Sequence, residues 1–253
     1  ATLRPQPHSS RAPGESRLLM PWSDFAPKND ANREEVQTAM LFMACESGDA
    51  DRAYLVLKEC TKQGLNLDEV INAQTEDGAT PLFYAAKGGN LDAVNVLLKT
   101  GRCVVNKGTH AGFTPMWMAA LRGKPDVLTV LLQEYGIQVN QPARDGRTPL
   151  YAACESGNVE CVRLLLKAGA LPDKSCRRPD NSTPLTVAAY LGHATIVRML
   201  IDAGASMKHK DNDGNALDNA RRQDKQQVVQ MLLQALEDKG LTEEELNDYT
   251  VVH

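Results

Sequence analysis

Asp77-Gly-Ala-Thr-Pro-Leu-Phe-Tyr-Ala-Ala-Lys-Gly-Gly89 is the stretch whose reading decides the architecture. Thr80 is suited to cap a helix, because its hydroxyl can accept from backbone N–H groups that the first turn leaves without intrahelical partners. Pro81 then takes the first helical position, where its missing N–H costs nothing and its φ is already near the helical value. Ala85 and Ala86 are small enough for neighbouring helices to approach closely, and Gly89 stops the helix by adopting the left-handed conformation. Downstream, Val94, Leu97 and Leu98 keep the i, i+3, i+4 spacing of an amphipathic helix, which Gly101 ends. One unit is therefore helix, turn, helix, then an extended excursion to the next glycine turn.

The unit repeats. Thr-Pro recurs at Thr80-Pro81, Thr114-Pro115, Thr148-Pro149 and Thr183-Pro184, at spacings of 34, 34 and 35 residues. Gly112-Phe-Thr-Pro-Met-Trp-Met-Ala-Ala-Leu-Arg-Gly123 and Gly146-Arg-Thr-Pro-Leu-Tyr-Ala-Ala-Cys-Glu-Ser-Gly157 follow the same pattern, and Leu-Leu pairs stand at 97–98, 131–132 and 164–165. Such a period is the mark of a solenoid, in which each unit buries its apolar face only by stacking on its neighbours. Two degenerate copies flank the array. Leu41-Phe-Met-Ala-Cys-Glu-Ser-Gly48 has the helix without the Thr-Pro turn, and Asp213-Gly-Asn-Ala-Leu-Asp-Asn-Ala220 lacks both Thr and Pro. Both read as caps, the second followed by the polar run Arg221–Gln227 that an end unit needs. Between the first cap and the next unit lies an insertion of seven residues, where Leu65–Asn72 forms either an extra helical turn or a local loop variant.

On these motifs the sequence resembles the ankyrin-repeat family over residues 38–236, about six units. The resemblance implies an all-α solenoid of stacked helix-turn-helix units carrying turn or hairpin fingers. Full repeats would start near 78, 112, 146 and 181, between caps near 38–60 and 213–236. An extended arm (1–32) would precede the repeat domain (33–236) and an acidic tail (237–253) would follow it. One departure is consistent: the family's histidine after Thr-Pro-Leu is replaced by Phe83, Trp117, Tyr151 and Thr186. Aromatic packing in place of a polar bracket is one reading; an aromatic recognition patch is the other. His193, at the family's Gly-His position, is expected to be structural.

The resemblance also implies where a partner would sit, on a concave surface of finger tips and exposed ends of the first helices. The tips carried over are Glu76, Asp77 and Ala79; His110, Ala111 and Phe113; Arg144, Asp145 and Arg147; Pro179, Asp180 and Ser182; and Asn212 with Asp213. The helix stripe is Glu46, Lys87, Leu121, Arg122, Glu155, Tyr190 and Leu191. Phe113, Leu121, Tyr190 and Leu191 are large apolar groups at expected solvent positions, where binding energy concentrates. Arg144, Arg147, Arg177 and Arg178 make a basic middle. The expected partner-contacting set on the repeats is thus His110, Phe113, Leu121, Arg122, Arg144, Arg147, Tyr190 and Leu191.

Composition narrows the function. A chain of 253 residues with net charge −4 lacks the concentrated basic field that a nucleic-acid partner requires, and no apolar run approaches a membrane span. The six cysteines show no zinc spacing and read as small buried hydrophobes in a reducing compartment, with Cys176, beside Arg177 and Arg178, as the one reactive candidate. The five histidines fall in different units or tails, without a phosphate-cradling loop or nucleophile motif, so no catalytic residue, cofactor or metal is expected.

Two segments lie outside the repeats. In the arm, Leu18, Leu19, Met20, Trp22 and Phe25 sit in a stretch that Pro21 and Pro27 keep from being a helix, so they read as separate anchors for docking on a partner or on the chain's own repeats. Arg4, Arg11 and Arg17 against the single acid Glu15 suit a processed leader or transit-peptide remnant, and equally simple methionine removal. The expected location is intracellular, cytoplasmic or organellar. In the tail, Thr242-Glu-Glu-Glu-Leu246 begins as a capping box, for an acidic helix that either extends the last cap or docks on the basic middle tips. The reading is a non-catalytic protein-interaction module, a structural or scaffold subunit of a hetero-oligomeric assembly; the alternative is a regulator that masks a partner's site.

Overall fold

A computed structural model describes residues 33–176 and 181–247 of the chain. The arm anchors Leu18, Leu19, Met20, Trp22 and Phe25 lie outside the described residues, as do Arg177, Arg178, Pro179 and Asp180. Fourteen helices are formed among the described residues: α1 (Arg33–Ser47), α2 (Ala50–Gln63), α3 (Leu67–Ile71), α4 (Pro81–Gly88), α5 (Leu91–Leu98), α6 (Pro115–Leu121), α7 (Pro125–Leu131), α8 (Pro149–Glu155), α9 (Val159–Lys167), α10 (Pro184–Leu191), α11 (Ala194–Asp202), α12 (Ala216–Arg222), α13 (Gln226–Asp238) and α14 (Glu243–Asn247). The inner helices α1, α4, α6, α8, α10 and α12 stack in that order, and α2, α5, α7, α9, α11 and α13 stack behind them. The chain is an all-α repeat solenoid. No strand forms among the described residues, and the fingers are turns, with one isolated bridge between Asp211 and Gly214.

Each inner helix starts as its Thr-Pro pair dictates. Thr80, Thr114, Thr148 and Thr183 accept through Oγ1 from the N–H of Phe83, Trp117, Tyr151 and Thr186 at 3.2, 3.1, 3.2 and 3.3 Å. All four threonines are buried, so the hydroxyl replaces a water that is not available there. α12 has neither Thr nor Pro, and Asn215 takes over: its Oδ1 accepts from Leu217 N at 2.9 Å and Asp218 N at 3.0 Å, while Asp218 Oδ2 accepts from Asn215 N. The insertion forms the extra helical turn, α3, started by Asn66.

The main core runs between the two helical rows. Leu41, Leu82, Met116, Leu150, Leu185 and Leu217 fill one position unit after unit, and Val94, Leu128, Val162 and Val197 answer from the outer row. Each such burial is worth about 1.5–3 kcal/mol. The cysteines belong to this packing: five are buried, Cys103 half-buried, and all are free thiols. Burial pushes Cys103 up to about 12 and Cys161 up to about 11, and raises Cys45, Cys60 and Cys154, so these groups stay protonated and behave as small hydrophobes. Cys176 is buried as well, with its Sγ 3.3 Å from Ser182 Oγ.

Polar side chains tie unit to unit at two repeating positions. Asn72, Asn106 and Asn140 each donate to a carbonyl of the next unit, of Arg102, Gly136 and Gly169, and each accepts from a backbone N–H there, of Val104, Gln138 and Leu171. Asp173 continues the row by accepting from Ser206 N at 2.8 Å. Before the outer helices, Asn90 Nδ2 donates back to Cys45 and Glu46 carbonyls, and Asn158 Nδ2 to those of Ala120 and Leu121. His193 occupies the same place in its unit: a Cβ on Gly157 would lie 2.9 Å from the His193 ring, so ring and glycine fit face to face.

Candidate protein-binding surface

The fingers are built by short backbone rules. Each is closed at its base by one backbone bond: Thr75 N to Ala79 O, Thr109 N to Phe113 O, Ala143 N to Arg147 O and Cys176 N to Ser182 O, at 2.9–3.0 Å. The tip glycines Gly78, Gly112 and Gly146 hold φ of 86°, 83° and 86°, which side chains with Cβ rarely adopt. Close approach adds a second demand, since a Cβ on Gly112 would sit 2.9 Å from Arg144 N. Fingers are also joined to one another, by His110 N to Asp77 O at 2.7 Å and Arg144 N to Ala111 O at 2.9 Å.

On this frame Glu76, Asp77, His110, Ala111, Arg144, Asn212 and Asp213 are exposed. The residue after each left-handed turn residue, Gly78, Gly112, Gly146 or Asn181, is not. Ala79, Arg147 and Ser182 are buried and Phe113 is half-buried, which corrects the expectation that they are solvent-facing tips. The left-handed residue, glycine in three fingers and Asn181 in the fourth, turns the chain back toward the helices, so the next side chain points into the stack.

Arg147 shows what that position does. It is 1% exposed; its Nε donates to Asp145 Oδ2 at 2.7 Å and its Nη1 to Glu155 Oε2 at 2.8 Å. Its guanidinium lies 5.3 Å from the Trp117 ring centre and 5.9 Å from that of Phe113, and those rings lie 4.2 Å apart. Burial alone would lower its pKa; the carboxylates of Glu155 and Asp145 outweigh this and hold it above the ordinary arginine value. Arg147 is thus a bracket within the array, not an anchor offered to solvent.

The aromatic replacements are packing elements too. Phe83, Trp117, Tyr151 and Thr186 are all buried. A second apolar cluster gathers Phe42, Ala79, Phe83, Tyr84, Trp117, Met118 and Ala152, with Phe113 and Leu121 against it. Tyr151 keeps a polar function, its hydroxyl 2.8 Å from Ser182 Oγ in the next finger, while Thr186 joins a capping box with Thr183. A recognition patch at these positions is ruled out by their burial.

Along the inner helices Glu46, Arg122 and Tyr190 are exposed, and Lys87, Leu121, Glu155 and Leu191 are half-buried, Glu155 being engaged with Arg147. Of the basic middle, Arg144 is the exposed member among the described residues. The described part of the tail is engaged elsewhere. Glu243 accepts from Arg221 Nη1 and Nη2 at 2.7 and 3.0 Å, Thr242 and Glu245 form the capping box, and Leu246 is buried in the main core. The acidic helix therefore extends the last unit. The repeating Asn72, Asn106 and Asn140, although spaced by 34 residues, carried no apolar or turn signal and were visible only as a period.

Among the described residues no group of three or more His, Cys, Asp and Glu is arranged to hold a metal ion, and no helix is long and apolar enough to cross a membrane. The family description "ankyrin repeats (3 copies)" matches residues 17–108, 41–143, 102–176 and 170–243. Comparison with curated proteins returns no match. Ankyrin repeats are in general protein–protein interaction modules, and the fold is typically non-catalytic. With the match running from residue 17 to residue 243 and the helix pairs stacked as described, the chain belongs to the ankyrin-repeat family.

Proposed function

We propose that the protein is a non-catalytic scaffold or structural subunit of a larger protein assembly, holding a protein partner on its finger tips and inner-helix stripe. The observation that carries this reading is a row of exposed, chemically unlike side chains on a rigid frame. Asp77, His110 and Arg144 stand on successive fingers whose backbones are bonded to each other, and Arg122 and Tyr190, the latter 40% exposed, stand on the helices behind. Their backbone is already fixed, so a partner meets a surface whose ordering cost has been met on folding. Leu121, Leu191 and Phe113 contribute apolar area at its edge. The alternative is a regulator that masks its partner's site with the acidic tail or the concave face; the tail route loses support because Glu243 is engaged with Arg221 on the last unit.

The test is affinity purification of the intact protein at native levels, with mass spectrometry to identify what co-purifies. The recovered partner is then titrated against a Tyr190→Ala, Arg144→Glu double variant. Phe113 is left intact because its ring supports Trp117. The expected result is a loss of affinity of about tenfold or more, the size of hot-spot effects; a partner held undiminished rejects this surface.

A further inference from the structure

Counting from the glycine that ends each inner helix, Met43 holds in the first unit the place that Tyr84 and Met118 hold in the second and third. That place points at the preceding unit: Tyr84 is 9% exposed and meets the Phe42 ring of α1 edge-on, with centres 5.8 Å apart. Met43 is 40% exposed. Leu55 of α2 stands in register with Val96, Val130, Leu164 and Met199, all partly buried against the core, yet it is 60% exposed, with Tyr54 exposed beside it. The first unit thus leaves exposed, on α1 and on α2, apolar side chains at places that are covered in the units after it. The other end of the array is treated differently, since α14 brings Leu246 into the core and clamps Arg221.

The chain just upstream carries what the first unit lacks. Leu18, Leu19, Met20, Trp22 and Phe25 precede α1, and the eight residues from Phe25 to Arg33 span up to about 26 Å when extended. Met43 lies ten residues into α1, only about 15 Å along the helix. The family match, moreover, begins at residue 17, so the segment is aligned with the repeats and not merely adjacent to them. Of the two docking places open to the arm, a partner or the chain's own repeats, we propose the second: residues 18–25 lie across the end of the first unit, over Met43 and Leu55, as an apolar cap that answers α14 at the far end. This inference is independent of the finger surface.

The chain has two tryptophans, Trp22 and Trp117, which makes the test direct. The full chain is labelled with 5-fluorotryptophan and its two ¹⁹F resonances are assigned with Trp22→Phe. The expected result is a Trp22 resonance shielded from solvent in a monomer at every protein concentration. Met43→Asp with Leu55→Asp moves it to the position of a free indole, while the buried Trp117 resonance stays in place and reports an intact fold. Should the aspartates disturb Trp117, Met43→Ser with Leu55→Ser makes the same comparison. A Trp22 resonance already free in the isolated chain overturns the proposal in favour of a different protein as receiver. Burial that grows with concentration alongside a dimer mass overturns it in favour of a second copy, and burial indifferent to the substitutions removes Met43 and Leu55 from the contact.

Discussion

Arg144 and Arg147 sit three residues apart in one finger and have opposite environments, one exposed at the tip, the other enclosed between Phe113, Trp117, Asp145 and Glu155. Removing Arg147 leaves two carboxylates facing each other without their cation beside an emptied aromatic slot. Arg147→Ala is expected to destabilise the array by about 3 kcal/mol, the scale for breaking a buried ion pair, read by urea unfolding. Arg147→Lys recovers only part of this, because a single ammonium cannot bond both carboxylates while lying flat on the rings. A loss within the range of ordinary surface substitutions, about 0.5 kcal/mol, would show that Arg147 is not a bracket.

At the scale of elements, the joints between units are testable separately from the cores. Asn158→Ala removes both bonds to the end of α6 and leaves two carbonyls to find water, an expected cost of about 1–2 kcal/mol. The loss should appear as faster amide exchange in α6 and α9 before it appears elsewhere; a change spread evenly over all helices contradicts a local joint. The α14 contact joins the buried Leu246 to an exposed ion pair, and the ion pair is its pH-dependent part. The hydrogen bonds from Arg221 hold the Glu243 carboxyl below its ordinary range, so its contribution is fully present above the usual glutamate pKa and is lost as pH falls through the lower folded value. Leu246 methyl resonances are therefore expected to stay constant from neutral pH down to the ordinary glutamate range and to shift toward a released state below it. In Glu243→Gln this acid step should vanish.

For the molecule as a whole, stability is a sum of unit and interface contributions, since each unit touches only its neighbours. Hydrogen exchange should accordingly be slowest in the middle units, α6 to α9, and quicken toward α12 and α13; a flat profile would mean a single cooperative block. The double variant Tyr190→Ala, Arg144→Glu should leave the urea midpoint within about 0.5 kcal/mol of the parent, because both side chains are exposed. The same stacking explains what was legible beforehand. Thr80-Pro81, Gly89 and the Leu-Leu pairs act within one turn of chain, so helix starts, stops and the period could be read directly, and α3 and the Thr242 box follow the same local chemistry. Finger exposure could not be read the same way: Arg144 and Arg147, or Glu76 and Ala79, are equally acceptable to a glycine turn considered alone. Arg147 is held inward by Glu155 of its own helix α8 on one side and by Phe113 and Trp117 of the previous unit on the other, and the rings reach it only when the units stack. By itself the sequence determined the repeating unit, because capping and apolar spacing are local; the tertiary structure alone decided which polar side chains face a partner and which hold the array together, because that depends on contacts between units some thirty residues apart.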